Sequence, residues 1–295
     1  MLAEIAAVIA PTFICAAIGF AWGRMGKPFN TELVTNLALN LGVPFLIFAT
    51  LAKLEVSPQA FGAVALAHAT TMAIVMAVSI VVLRLAGLPW NCFLPPLVFA
   101  NNGNMGLPIC LFAFGDAGLA FAISVFVVSS IGTFTIGLSI FAGSASPRLI
   151  FRNPLIYVIG IALLFMLTHT RPPQWLANTA QIVGGMGIPL MLLSLGVAIA
   201  RIQVKGIGRS IALAVLRIPL GAAVGLGVAW AFGLDGIARG VIVLQAAMPT
   251  AVNNYLFAQR YNRRPEEVAG IVMLSTLLSF VSLPLLLWMV LPGAR

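Results

Sequence analysis

Apolar runs of about 20 residues succeed one another along residues 2–291, each long enough to cross a hydrocarbon core of ~30 Å. Inside a bilayer the chain must satisfy its own backbone polar groups, so such runs fold as helices. With 61% of the residues hydrophobic and only 8% charged, nothing is left over for a soluble domain. The expected class is an all-α, multi-pass integral membrane protein. The net charge of +9 arises from loop lysines and arginines set against few acids, and implies no nucleic-acid surface. Cys15, Cys92 and Cys110 lie in or at the edges of spans without metal-ligand spacing, and are expected to be reduced packing residues.

Ten spans are expected, near residues 2–23, 33–51, 61–86, 92–115, 117–142, 155–167, 176–200, 210–232, 237–259 and 268–291. The leader Met1-Leu2-Ala3-Glu4 lacks the positive stretch of a signal peptide, so the first span is expected to be retained. A short basic link, residues 143–153, divides the chain into five-span halves, 1–142 and 154–295. The halves echo each other. Gly42-Val43-Pro44 matches Gly187-Ile188-Pro189 at an offset of 145, and Ala86-Gly87-Leu88 matches Phe232-Gly233-Leu234 at 146. Prolines fall in spans two and seven and again in four and nine, with Pro108 and Pro249 separated by 141. Because five is odd, the second half enters the membrane upside down relative to the first. The pattern predicts an inverted-topology repeat, as found in alternating-access carriers.

Loop charge orients the bundle. Arg24, Lys27, Arg84, Arg148, Arg152, Arg201, Lys205, Arg209, Arg260, Arg263 and Arg264 fall on one side, against Lys53, Arg171, Arg239 and Arg295 on the other. The positive-inside rule makes the first side cytoplasmic, with the link inside and both termini outside, in a cell (inner) membrane.

Spans four and nine are poor lipid-facing helices. The first carries Asn101-Asn102-Gly103-Asn104-Met105-Gly106-Leu107-Pro108, the second Gln245-Ala246-Ala247-Met248-Pro249-Thr250-Ala251-Val252-Asn253-Asn254. Each proline withholds one helix donor, which frees the carbonyl of Asn104 or Gln245. A single such break is most simply a packing kink; two amide-rich breaks, each in the fourth span of its half, predict a polar site between discontinuous helices. Helices starting at Pro108 and Pro249 would present free donors at Ile109, Cys110, Thr250 and Ala251 near the midplane, which suits an anion. Asn101, Asn102, Asn104, Gln245, Asn253 and Asn254 add neutral donors and acceptors for a carboxylate, while the freed carbonyls would also suit sodium.

The acids Glu4, Glu32, Glu55, Asp116, Asp235, Glu266 and Glu267 all lie near span ends or in loops, so no carboxylate relay is expected at the midplane. His68 and Arg217 do fall within spans. His68 reads either as a packed neutral histidine or as a proton-linked group. Arg217 lies eight residues past Arg209, about 12 Å at helical rise, near the limit of snorkelling, and reads as an interior counter-charge to an anion.

The 101–108 and 248–254 segments resemble the two crossover segments of the auxin efflux carrier family, which includes plant auxin carriers and bacterial relatives named as malonate or malate transporters. The likeness covers the whole chain: ten spans, outward termini and no large central loop. It implies a fold similar to the bile acid:sodium symporters, with spans 1, 2, 6 and 7 as a scaffold. Spans 3–5 and 8–10 would form a transport domain that moves like an elevator. It also implies a carboxylate substrate, and the sodium-binding acid of the symporters has no counterpart between Gln245 and Asn254. The expected function is therefore a carrier for a mono- or dicarboxylate, independent of sodium. A proton- or sodium-coupled symporter and an anion channel are the alternatives. With no HExxH, no G-x-S-x-G and no intramembrane acid pair, no enzyme, metal or cofactor is expected. The expected partners are the organic anion and membrane lipid, with a homodimer left open.

Overall fold

A computed structural model describes residues 2–51, 57–144, 172–202 and 207–291, with scattered positions between 157 and 170. Most of the expected link (145–153), much of span six, and Lys53, Glu55, Arg148, Arg152, Arg171, Lys205 and Arg295 lie outside the described residues. Every regular element among those described is helical. Seven helical stretches are long and apolar enough to cross a membrane: Leu2–Arg24, Thr31–Leu51, Pro58–Leu85, Asn102–Ala142, Gln174–Arg201, Ile207–Ala231 and Pro265–Val290. The described residues are thus helical and fit a multi-pass membrane protein.

The first three are α1, α2 and α3. Asn30 caps α2 by accepting from Leu33 N–H at 3.0 Å, and Ser57 caps α3 by accepting from Ala60 N–H at 3.2 Å, with Pro58 in the first turn. A short helix, α4 (Trp90–Val98), follows. The stretch Asn102–Ala142 is two helices, α5 (102–114) and α6 (116–142), divided at Gly115 with φ 65°. A Cβ on Gly118 would lie 2.5 Å from Cys110 O, eight residues earlier, whereas a continuous helix would separate them by about 12 Å, so the chain folds back here. Next come α7 (Gln174–Arg201), α8 (Ile207–Ala231), α9 (Gly236–Ala246), α10 (Val252–Arg260) and α11 (Pro265–Val290). The two stretches expected as broken spans are therefore each a pair of short helices, α4 with α5 and α9 with α10.

Both sequence echoes have structural counterparts. Gly87 and Gly233 end α3 and α8 at φ 64° and 62°, in the same pair of bonds: Leu88 N–H to Leu83 O and Leu234 N–H to Ala229 O, each 2.9 Å. This is the left-handed glycine termination that an L side chain would strain. Gly42 and Gly187 meet each other where α2 crosses α7; a Cβ on Gly42 would lie 2.7 Å from Gly187 Cα. Along α1 and α7, Gly19 packs on the Leu193 backbone and Gly196 on that of Ala16 and Phe20. Small residues at such contacts let membrane helices approach closely. One group of helices is thereby α1, α2 and α7; α3, α8 and α11 pack around the short helices.

All five tryptophans are exposed and stand within two residues of a helix end: Trp22, Trp90, Trp175, Trp230 and Trp288. Indole rings collect at membrane–water interfaces, so their positions mark the helix ends as the interfacial levels.

Candidate functional site

The two breaks cross. Phe99–Asn101 and Pro249–Ala251 run extended and antiparallel, joined by Asn101 N–H to Pro249 O at 2.7 Å and Ala251 N–H to Phe99 O at 3.1 Å, around the bridge Ala100–Thr250. Side chains cement the crossing. Thr250 Oγ1 donates to Pro96 O at 2.8 Å, Ser275 Oγ accepts from Thr250 N–H at 3.1 Å, and Asn254 Nδ2 donates to Phe99 O at 3.0 Å and Ala251 O at 3.1 Å.

The prolines do not start the helices. Expected starts at Pro108 and Pro249 are corrected to Asn102 and Val252. A wide π turn over Asn102–Gly106 lets Leu107 N–H serve both Asn102 O and Gly103 O, which absorbs the donor that Pro108 lacks. Pro249 instead occupies the extended bridge, where only its carbonyl is needed. The free donors move accordingly. Ile109 and Cys110 are interior to α5, and Thr250 and Ala251 are already bonded. Nor is Gln245 O free, since it accepts from Met248 N–H at 3.3 Å. The earliest bonds onto Asn101 O come from Met105 N–H at 3.3 Å and Gly106 N–H at 3.1 Å, so Asn102, Gly103 and Asn104 N–H have no acceptor within α5. Asn254 N–H bonds to Ala251 O at 3.1 Å, which leaves Val252 and Asn253 N–H in the same position at the start of α10.

Both helix starts open into one cavity of about 580 Å³ between the crossing and the α2–α7 face. Of the residues singled out from sequence, Asn101, Asn102, Asn104 and Asn253 line it together. Asn101 and Asn102 are almost wholly buried, and Asn101 Nδ2 and both side-chain polar atoms of Asn102 have no protein partner. An unpaired buried amide costs roughly 1–3 kcal/mol, so these groups favour a polar occupant.

The other expected residues lie elsewhere. Thr250 and Asn254 are bonded within the crossing, Pro249 is part of the bridge, and Pro108 is buried in α5. Gln245 is fully buried beside Gly106, whose missing side chain leaves room for its carboxamide. Arg217 is inside the protein, as expected, but not at the cavity: Nη1 donates to Ala246 O at 2.9 Å, at the C-terminal end of α9. A guanidinium there meets the negative end of a helix dipole and a carbonyl the break has deprived of its helical donor. His68 stands one layer behind the cavity, with Nε2 2.8 Å from Oγ of Ser129, which does line it.

Sequence reasoning missed Thr31, Thr35, Asn36 and Asn40 on α2, Ser129, Ser130 and Thr133 on α6, and Ser194 and Arg201 on α7. Asn36 and Asn40 carry a usable signal: two amides four residues apart share one face of an otherwise apolar helix. Arg201 was hidden among the loop charges.

Residues 144–287 match a family described as membrane transport protein. These 144 of the 295 residues are similar to that family. The resemblance to auxin efflux carriers stands with it: the chain is 31% identical over 154 residues to "Auxin efflux carrier component 1" of Arabidopsis thaliana, covering 50% of this chain and 24% of that protein. It is 27% identical over 192 residues to an "Uncharacterized transporter" of Methanothermobacter thermautotrophicus, 63% of each. It is 24% identical over 217 residues to a "Putative malonate transporter" of Rhizobium meliloti, 66% of each. The matched stretches thus span from about a quarter to just under two thirds of these relatives.

Proposed function

We propose that this transporter is a secondary carrier for a small organic anion bearing a carboxylate. The observation that carries the reading is the convergence of two helix starts and the partly unpaired amides Asn101 and Asn102, with Asn104 and Asn253, on one cavity. Helix starts present donors and a partial positive charge, and amides bind a carboxylate without fixing a counter-charge. No Asp or Glu lines this cavity among the described residues to repel the anion. The name of the Rhizobium relative points to the same chemistry, with malonate as a first probe.

The sequence echoes, the loop charges and the resemblance to auxin efflux carriers support the rest of this proposal. The ten spans form two inverted repeats, with the Gly42–Gly187 contact where repeat-related segments meet. Spans 1, 2, 6 and 7 act as scaffold, and the transport domain (spans 3–5 and 8–10) carries the crossing past it in an elevator movement. The Arg201 end of the cavity faces the cytoplasm and both termini face outward. Transport needs no sodium and runs outward down the membrane potential, which contributes about 2.3 kcal/mol per charge per 100 mV.

The test is malonate counterflow in proteoliposomes containing the full chain, since a channel shows no trans-stimulated exchange. Asn102→Ala and Asn253→Ala are expected to weaken malonate by about 1–3 kcal/mol, through partners left unpaired in a desolvated site. Unchanged affinity in both folded variants would overturn the crossing as the site.

The 2.8 Å contact from His68 to Ser129 at the cavity wall favours one second reading, a proton symporter. Accumulation driven by a pH gradient at clamped zero potential, lost in His68→Gln while exchange persists, would replace the uniport reading.

A further inference from the structure

Arg201 is the one charged side chain lining the cavity among the described residues. It ends α7 at the cavity mouth and is held there by two bonds, Nη1 to Thr31 Oγ1 and Nη2 to Phe29 O, each 3.1 Å. Both acceptors are neutral, and among the described residues no carboxylate pairs with this guanidinium. The neighbouring acid, Glu32, does not line the cavity. From Thr31 a polar track runs inward along α2 through Thr35, Asn36 and Asn40.

Distance separates this arginine from the crossing. Met191 on α7 marks the crossing's level, since its methyl would lie 3.0 Å from a Cβ on Gly103. Arg201 is ten residues further along the same helix, about 15 Å at 1.5 Å per residue. The ends of malonate are joined through only two C–C bonds of ~1.5 Å each, so one molecule does not reach from the amides to Arg201.

We infer that Arg201, held by Thr31 and Phe29 and continued by Asn36 and Asn40, forms a separate vestibule. It captures small anions at one mouth and feeds them to the crossing. The vestibule acts on the rate of capture from one face only, and it rests on the carboxylate reading solely for the identity of the anion. Its sign is general: a fixed positive charge in a cleft raises the local concentration of anions and lowers that of cations.

The first test needs no substrate. A reporter cysteine at Asn36, with Asn40→Cys as a second position should the first disturb folding, is modified in reconstituted full-length protein by anionic and by cationic methanethiosulfonates. Asn36 is five residues from Thr31, about 8 Å along the helix. A unit charge at that distance in a water-like medium changes the local concentration of a monovalent ion roughly two- to threefold. Arg201→Gln should therefore lower the anionic-to-cationic rate ratio about fivefold. Arg201→Lys should keep it, and ~1 M salt, with a Debye length of about 3 Å, should erase the difference. A ratio unmoved by Arg201→Gln, or lost equally in Arg201→Lys, overturns the vestibule.

The second test is malonate flux at low salt. Arg201→Gln should raise KM severalfold from the Arg201 face, with maximal rate kept and the opposite face unchanged; an equal change on both faces counts against it. A shifted reagent ratio without malonate flux in any variant keeps the vestibule and removes the carboxylate reading.

Discussion

Thr250→Val tests whether the crossing is held as described, because it removes one hydroxyl at nearly constant shape. Pro96 O belongs to the last turn of α4, and its helical donor would be the N–H four residues on, at Ala100. Ala100 is instead extended in the bridge to Thr250, and Pro96 O accepts from Thr250 Oγ1 at 2.8 Å in a fully buried setting. Valine leaves that carbonyl without its donor. Buried orphaned acceptors cost roughly 1–3 kcal/mol, while interhelical side-chain bonds within membranes average only about 0.6 kcal/mol and reach ~1.7. The acceptor here is a main-chain carbonyl at a helix break with no replacement donor, so the upper part of the membrane range applies. The expected loss is about 1–2 kcal/mol. Thr250→Ser keeps the hydroxyl and should cost no more than the buried methyl, about 0.8 kcal/mol. Equilibrium unfolding in mixed micelles, with wild type, Val and Ser variants in parallel, reads both differences. A valine variant within about 0.5 kcal/mol of wild type, or no less stable than the serine variant, would refute the assignment of this bond to the crossing.

Three further outcomes are expected. Arg217→Gln should lower stability, by removing the charged donor from Ala246 O, and weaken mono- and dicarboxylates equally, because Arg217 does not line the cavity; selective loss of dicarboxylates in flux assays would return it to the anion path. Gly106→Ala should destabilise by about 1–3 kcal/mol through overpacking, since its Cβ would run into the Gln245 carboxamide, and Gln245→Ala should relieve that cost in a double-mutant cycle; additive losses would argue against the contact. A cysteine at Ser144 should be labelled by impermeant maleimide only from the cytoplasmic side, and labelling in intact cells would reverse the proposed orientation.

The sequence by itself determined the solvent. Runs of apolar residues at this length leave only a helical membrane bundle, whatever their contacts, because the bilayer imposes that on any such chain. It also located both breaks, since missing donors are a property of the local backbone. Asn101, Asn102, Asn104 and Asn253, which line the cavity, were legible as candidates because amides in an apolar span need a reason. Which amides face the cavity was not legible. Asn253 and Asn254 are neighbours in sequence, yet one lines the cavity and the other is tied to Phe99 O, through a pairing of strands some 150 residues apart that no local pattern encodes. The same holds for the arginines. Arg217 looked like the anion's counter-charge because it lies inside a span, but the end of α9 needed a donor, and that need arises only once α8 packs beside it. Arg201 looked like an ordinary loop charge, and only the meeting of α7 with the start of α2 places it at the mouth of the cavity. Local chemistry thus fixed which residues are costly to bury, and tertiary packing decided which of those costs the protein settles within itself and which it leaves open to a ligand.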